Sequence, residues 1–295
     1  MFNLKYLDQI HEKKPILIAG QTASGKSHLA IQIAEKHGGT IINADAIQVY
    51  ANWRILTARP SAANEEIISH KLYGHVNGAL EYSVGTWIKE IQEVLLSNSR
   101  PIIVGGTGLY FSALTNGLAD IPQIPENVRL EVQNRIKKNG FKSLVEEIDE
   151  ETVQKIDVSN PMRVQRAWEV LKATGRGLSR WHDETPKPTL DIKKCEAILV
   201  EPEISVVNDR IYSRFDQMIE QGLLQEAENN LATWNTSNSS SKAIGAKELI
   251  AYLKNEISID QLRNDIITAT RQYAKRQRTW FRSNMKSWKK YFVNL

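Results

Sequence analysis

A run of eight residues near the N-terminus has the composition of a diphosphate-binding loop. Its glycines allow several backbone N–H groups to point at one anion, its lysine supplies a mobile charge, and its serine hydroxyl can ligate Mg²⁺. An apolar run precedes it and an amphipathic run follows, so it joins a strand to a helix whose N-terminus also favours negative charge. The pattern predicts a diphosphate site, with Mg²⁺ on the last residue, in a loop (P-loop) formed by Gly20, Gln21, Thr22, Ala23, Ser24, Gly25, Lys26 and Ser27.

A carboxylate and a hydroxyl follow two further apolar runs. Asp45 comes after TIINA, and Thr107 comes after PIIVGG. A nucleoside triphosphatase normally places an acid at the end of a second strand to hold Mg²⁺, whereas the run before Thr107 ends in glycines. We therefore interpret Asp45 as a base for an incoming nucleophile, with helix N-capping as the alternative role.

The elements around these residues predict an α/β fold. Short apolar runs alternate with longer amphipathic ones, which indicates a P-loop NTPase-like parallel sheet flanked by helices. A further strand is predicted near 195–202. The stretch between is polar and helical, with prolines and glycines as punctuation, and predicts a helical insertion domain. The expected division is a catalytic core at 1–120 and 195–295, with basic C-terminal helices, and an insertion at 121–194.

Composition limits the functional classes. The chain of 295 residues has no apolar run near the roughly 20 residues of a membrane span, and its start has no apolar stretch of the kind a secretion signal needs. We therefore expect a cytoplasmic protein. Its single cysteine, Cys195, cannot form an internal disulfide.

The positive charge of the chain is concentrated near its C-terminus. From Arg263 onward there are nine Lys or Arg residues and one acid, a net charge of +8, so the rest of the chain carries a net charge of −4. Such a basic tail suggests a polyanionic partner, although a solvated helix face would have the same composition.

Several motifs together resemble one enzyme family. The P-loop is joined by DAIQVY from Asp45, TARP from Thr57, GGTGLY from Gly105 and NPMRVQR from Asn160. The pair Arg210 and Arg214, the run KAIG from Lys242 and the run RQYAKRQ from Arg271 follow in order. Across nearly the whole chain these motifs resemble the bacterial tRNA dimethylallyltransferases. The chain departs from the usual pattern at Ala46, Arg59, 52–54 and 70–72.

The resemblance implies a prenyl transfer. Dimethylallyl diphosphate would donate its five-carbon group to N6 of adenosine 37 in the anticodon loop of tRNAs that read codons beginning with U, with diphosphate as the second product. Asp45 would remove the proton, Thr107 would hydrogen-bond the bridging oxygen, and Arg210 would add a cation to the leaving diphosphate. An adenine stacked in the loop must be flipped out to reach the donor. The expected cofactor is Mg²⁺, and the expected state is a monomer.

The resemblance also implies tRNA contacts in four segments and at two single residues, Thr107 and Arg129. In the C-terminal helix, Lys275, Arg278 and Arg282 recur at spacings of three and four and so share one face. Cations and an aromatic ring together suit phosphate contact and base stacking. The predicted contacts are Asp45, Ala46, Ile47, Gln48, Thr107, Arg129, Met162, Arg163, Val164, Gln165, Arg166, Ser240, Ser241, Lys242, Ala243, Ile244, Gly245, Lys275, Arg276, Gln277, Arg278, Trp280 and Arg282.

Three alternatives stay open from the sequence. An adenylate isopentenyltransferase would use the same donor on a free nucleotide, but needs neither a basic tail nor a helical insertion. A P-loop small-molecule kinase would explain the loop and Asp45 but not the missing second-strand acid. A non-catalytic P-loop RNA-binding protein would use the basic helix and give no reason for Asp45 and Thr107.

Overall fold

The centre of the fold is a six-stranded parallel sheet. The computed structural model describes residues 7–97 and 99–292. The strands are β1 Ile16–Gly20, β2 Thr40–Asn43, β3 His70–Lys71, β4 Pro101–Gly105, β5 Glu196–Val200 and β6 Lys289–Tyr291. Their order is β3-β2-β4-β1-β5-β6, and every pairing is parallel. The predicted parallel sheet flanked by helices is confirmed.

Two compact units divide the chain. The first comprises residues 7–97, 99–115 and 189–292, and the second comprises Asn116–Pro188. In the first unit the helices are α1 Lys26–His37, α2 Ala62–Ile67, α3 Val84–Leu95 and α4 Gly108–Asn116, then α9 Ile204–Glu220, α10 Leu223–Leu231, α11 Ala246–Leu253 and α12 Ile259–Asn284. In the second they are α5 Glu126–Asn139, α6 Glu150–Lys155, α7 Pro161–Thr174 and α8 Leu178–Asp183.

The sheet is buried on both faces, which explains its continuous apolar strands. Alternate residues of β1 point to opposite sides, so Ile16 and Ile18 pack against α1, whereas Leu17 packs against α3 and α4. Cys195 lies half-buried beside the second of these clusters, and burial raises the pKa of its thiol to about 11. Its reactive thiolate form is therefore disfavoured at neutral pH.

The helices after β5 form a further core. Buried side chains at 207, 211, 215 and 218 repeat at helical spacing along α9 and pack against α10, α11 and α12. Trp53 and Leu56, from the segment after β2, join the same cluster. This cluster therefore attaches the C-terminal helices and the 52–58 segment to one another.

The second unit has a helical core of its own. Val132 on α5, Leu144, and Val164 and Trp168 on α7 are almost fully buried together. Asn160 caps α7, because its side-chain oxygen accepts the backbone N–H groups of Met162 and Arg163. The unit ends at Pro188 rather than 194, because Leu190 donates its N–H to the carbonyl of Leu114 and packs with the sheet. In the described parts of the chain, no helix is both long and apolar enough to cross a bilayer.

Candidate active site

Three loops converge at one edge of the sheet. β2, β4 and β1 are neighbours, so the segments after their carboxyl ends meet. These segments carry Asp45, Thr107 and the P-loop. The structure thus brings together the three parts of the chain from which chemistry was predicted.

The P-loop has the backbone of an anion-binding loop. Ala23 (φ 59°) and Gly25 (φ 92°) adopt left-handed conformations that turn successive peptide units. Helix α1 begins directly after Gly25. No described side chain caps its N-terminus, and no acid lies in its first turn. The positive end of α1 therefore remains available for phosphate.

Lys26 is a half-buried cation within this loop. Its Nζ donates to the carbonyl oxygen of Gln21 at 3.4 Å. Burial lowers the pKa of Lys26 to about 8, the charge of Asp45 opposes this shift, and the charge of Arg214 adds to it. A bound diphosphate would stabilise the charged form, since it would place negative charge next to the ammonium group.

Two arginines of α9 reach the P-loop in different ways. Arg210 donates to the carbonyl oxygens of Ala23 and Ser24, at 3.3 and 3.1 Å, and is not among the described residues that line the cavity. Arg214 donates to the hydroxyl of Thr22 at 3.2 Å and does line the cavity. Burial lowers the pKa of Arg214, and the charge of Asp45 opposes this. Arg210 therefore contacts the backbone of the loop, and Arg214 is the guanidinium that faces the cavity; the predicted role of Arg210 at the leaving diphosphate stays a prediction.

Asp45 is oriented by its own loop. Its backbone N–H donates to Oδ1 of Asn43 at 2.8 Å, and its Oδ1 accepts the N–H of Ile47 at 3.0 Å. The carboxylate is the only acid among the described residues that line the cavity. Burial raises the pKa of Tyr273, a cavity residue on α12, and the charge of Asp45 raises it further.

Thr107 touches the segment that carries Asp45. Its hydroxyl oxygen accepts the N–H of Ala46 at 2.9 Å, and its own N–H donates to the carbonyl oxygen of Ala44 at 3.2 Å. No described group accepts the hydroxyl hydrogen, so the hydroxyl can donate to a ligand. Thr107 is not among the described lining residues, so its contact with a bridging oxygen stays a prediction.

One cavity of about 450 Å³ is lined both by polar groups of the site and by an apolar wall. Its lining includes P-loop residues together with Asp45 and Arg214. The wall is formed by Ile47 and Leu56 and by side chains of α9 and α12, namely Ile211, Phe215, Met218, Ile266 and Ile267. The sequence analysis missed this wall, although 211, 215 and 218 fall on the side of α9 that carries Arg214.

The predicted RNA-contacting residues of this unit have varied surroundings. Gln48 lines the cavity, but its Nε2 donates to the carbonyl oxygens of Thr57 and Ala58 at 2.8 and 3.1 Å. Ser240 is 1% exposed, and its hydroxyl donates to the carbonyl oxygen of Gly78. The side chain of Ser240 therefore supports the fold. Of the 240–245 segment, Lys242 and Ile244 line the cavity.

The predicted contacts in the second unit are also of two kinds. Met162 is 70% exposed, and Arg163 and Arg166 are exposed on α7. Val164 is fully buried in the unit's core, and the Nε2 of Gln165 donates to Glu169 at 2.7 Å. Val164 is therefore a core residue, and an RNA contact from α7 would come from the exposed side chains.

The basic face of α12 is only partly open. Lys275, Arg276 and Arg282 are exposed, and Arg282 also pairs with Glu201 at 2.6 Å. Arg278 donates to Oε1 of Gln21 at 3.3 Å. The cations that share a helix face thus divide between solvent and contacts inside the unit.

Comparison with known proteins gives one result. The family model described as IPP transferase matches residues 48–284, and one described as isopentenyl transferase matches 14–73. A tRNA dimethylallyltransferase of Cereibacter sphaeroides is 52% identical over 285 residues, 97% of this chain and 91% of its own. One of Jannaschia sp. is 50% identical over 282 residues, 96% of this chain and 97% of its own.

Solved structures agree with the sequence relatives. The tRNA isopentenylpyrophosphate transferase of Bacillus halodurans superposes with a TM-score of 0.67 at 29% identity, covering 96% of this chain and 92% of that one. A eukaryotic dimethylallyltransferase acting on tRNA gives a TM-score of 0.78 at 27% identity, covering 95% and 73%. The family model and the similar relatives show that the chain belongs to the IPP transferase family, and its P-loop and parallel sheet agree with this.

Proposed function

We propose that this protein transfers a dimethylallyl group from dimethylallyl diphosphate to an adenine of tRNA. The observation that carries the proposal is the cavity, in which a P-loop and an apolar wall enclose one space. A molecule that has a diphosphate at one end and a short hydrocarbon at the other matches both parts. The acceptor class is inferred from the relatives, which are named for tRNA.

The protein would stabilise the departing diphosphate. Backbone N–H groups at the start of α1, together with Lys26 and Arg214, would surround its charge, which is supported by the uncapped start of α1 and by the presence of both cations in the cavity lining. As the C–O bond breaks, the bonding electron pair leaves with the diphosphate, so its negative charge grows. Groups fixed around that charge stabilise the transition state more than the ground state. The apolar wall would hold the hydrocarbon and exclude water.

Asp45 is the proposed general base. N6 of adenine is a weak nucleophile, because its lone pair is delocalised into the ring. When the new C–N bond forms, N6 must lose one proton, and the carboxylate of Asp45 would accept it. Asp45 lies in the cavity with its side chain already oriented by the N–H of Ile47.

A divalent cation is expected with a diphosphate donor, and Mg²⁺ is the ion we propose. The described residues contain no group of three His, Cys, Asp or Glu side chains that could hold a metal by themselves. Ser27 offers an exposed hydroxyl at the cavity. One hydroxyl fits Mg²⁺ that takes its other ligands from phosphate and water. When bound, the ion would neutralise charge on the leaving diphosphate.

The finer acceptor assignment is adenosine 37 of tRNAs reading codons that begin with U. It rests on the motifs shared with the family, and on the need for a flipped base to enter a cavity beside Asp45. Because tRNA is the acceptor, we expect the reaction to take place in the cytoplasm.

The first experiment is a product assay. Purified protein is incubated with Mg²⁺, dimethylallyl diphosphate and unmodified tRNA, and the digested RNA is examined by mass spectrometry for prenylated adenosine. We expect product with tRNA and none with free AMP. Product with AMP alone would indicate an adenylate isopentenyltransferase, and ATP turnover without prenylation would indicate a kinase.

A further inference from the structure

Gln277 is buried between two loops of the active site. It lies on α12, is 7% exposed, and uses both ends of its amide. Its Oε1 accepts the N–H of Thr22 in the P-loop at 2.8 Å, and its Nε2 donates to the carbonyl oxygen of Gly106 at 2.9 Å. One side chain therefore joins the loop after β1 to the loop after β4.

The loop after β4 is shaped to admit this contact. A Cβ atom on residue 106 would lie 2.3 Å from Nε2 of Gln277, and one on residue 108 would lie 2.1 Å from the ring of Trp280. Glycine at both positions lets α12 approach the loop closely. The neighbouring side chains of α12 also face the site: Tyr273 and Arg276 line the cavity, and Arg278 bonds Gln21.

We propose that Gln277 is a positioning residue for the diphosphate site rather than a tRNA contact. It fixes the first turn of the P-loop through Thr22 and ties that turn to the loop before Thr107. The diphosphate would then be bound by groups further along the loop, at the start of α1. The inference rests on the proposed function, because the diphosphate belongs to the prenyl donor.

The test separates donor binding from tRNA binding. Gln277→Met keeps the length of the side chain and removes both hydrogen bonds. We expect the Kd for dimethylallyl diphosphate with Mg²⁺, measured by calorimetry, to rise about tenfold, and kcat to fall. The Kd for tRNA, measured by fluorescence anisotropy, is expected to change by less than about twofold.

Lys275→Met is the matched control, since it also introduces methionine on α12, two residues away and at an exposed cation. We expect the opposite result, with weaker tRNA binding and unchanged donor binding. If Gln277→Met instead weakened tRNA binding and left donor binding intact, or changed neither, the inference would be wrong.

A second variant keeps the test decisive if Gln277→Met does not fold. Gly106→Ala places a methyl group where the amide of Gln277 lies, so it is expected to weaken donor binding in the same way. Combined with Gln277→Met it should add little, because both changes disrupt the same contact between Gln277 and Gly106. Fully additive losses would contradict the inference. If the unmodified protein bound inorganic diphosphate but not dimethylallyl diphosphate, the proposed function would fail, and Gln277 would still be testable with inorganic diphosphate.

Discussion

At the scale of single residues, the site consists of a few charges held close together. The charge of Asp45 acts on both Lys26 and Arg214, where it opposes the lowering of their pKa values by burial, and the charge of Arg214 lowers the pKa of Lys26 further. Two cations and one carboxylate in a partly buried space suit a ligand that carries several negative charges.

Asp45→Asn should abolish proton removal and preserve the shape of the site. The amide oxygen can still accept the N–H of Ile47. We expect kcat to fall about 100-fold or more, the usual contribution of a general base. Single-turnover prenylation of tRNA measures this, with the Kd values of donor and tRNA as controls. Unchanged turnover would remove Asp45 as the base.

Lys26 predicts a pH dependence. Its pKa is about 8 in the folded, donor-free protein, against 10.5 when unfolded. Between these values the unfolded chain holds the proton that the folded chain has lost, so the free energy of unfolding should rise with pH. Urea denaturation at pH 8 and pH 10 measures this, and Lys26→Met should remove the rise.

The same group predicts weaker donor binding at high pH, because the charged ammonium is the form that attracts phosphate. Between pH 7.5 and 9.5 the Kd for dimethylallyl diphosphate should rise about 25-fold, as the charged fraction of Lys26 falls. Calorimetry in two buffers of different ionisation enthalpy should show proton uptake on binding. A Kd independent of pH would contradict a lowered pKa for Lys26.

At the scale of elements, the segment 52–58 is fixed to α10 by one carboxylate. Glu226 accepts the N–H groups of Arg54, Ile55 and Leu56 at 2.6, 2.8 and 2.9 Å. Nearby, Asn230 donates to the carbonyl oxygen of Asn52. Leu56, with the two residues after it, lines the cavity. The cavity wall therefore depends on a helix that does not itself line the cavity.

Glu226→Gln should loosen this wall. The amide NH₂ cannot accept the N–H that Oε2 now accepts, and a lost partner for a part-buried donor costs about 1–3 kcal/mol. We expect a lower free energy of unfolding and a higher KM for dimethylallyl diphosphate. Glu228→Gln, at an exposed position of α10, is the control. Equal effects of the two variants would contradict a role for Glu226 at the wall.

At the scale of the whole molecule, charge is unevenly distributed along the chain. The residues from Arg263 onward carry +8, and the remainder carries −4. Some of these cations are paired within the first unit, such as Arg263 with Asp216 and Arg282 with Glu201. The excess positive charge should still attract a polyanion over a distance, and this attraction is screened by salt.

Binding to tRNA should therefore weaken steeply with salt. Each phosphate contact contributes about −0.7 to −0.9 to the slope of log K against log salt, so three contacts would give about −2 or steeper. Fluorescence anisotropy at KCl concentrations between roughly 50 and 300 mM measures the slope, because the loss of affinity with salt is large in this range. Lys275→Met should reduce the slope by about one. A flat response would contradict phosphate contact by α12.

The sequence by itself determined the features that depend on neighbouring residues. The P-loop needs glycines, a lysine and a serine at fixed spacing between a strand and a helix, and all of these are local. The parallel sheet could be predicted from short, continuous apolar runs that alternate with amphipathic helical segments, because a strand buried on both faces needs apolar residues throughout. Asp45 could be recognised as a strand-terminal acid in the same way.

Tertiary structure decided what depends on distant parts of the chain. Arg210 and Arg214 are one turn apart, yet only the packing of α9 shows which of them faces the cavity. Gln277 lies 255 residues from Thr22 in sequence, so their hydrogen bond has no local signal. The apolar wall combines side chains of separate helices. The reason is physical: local spacing fixes the backbone of a loop, whereas the contacts around a ligand are fixed by how separate elements pack.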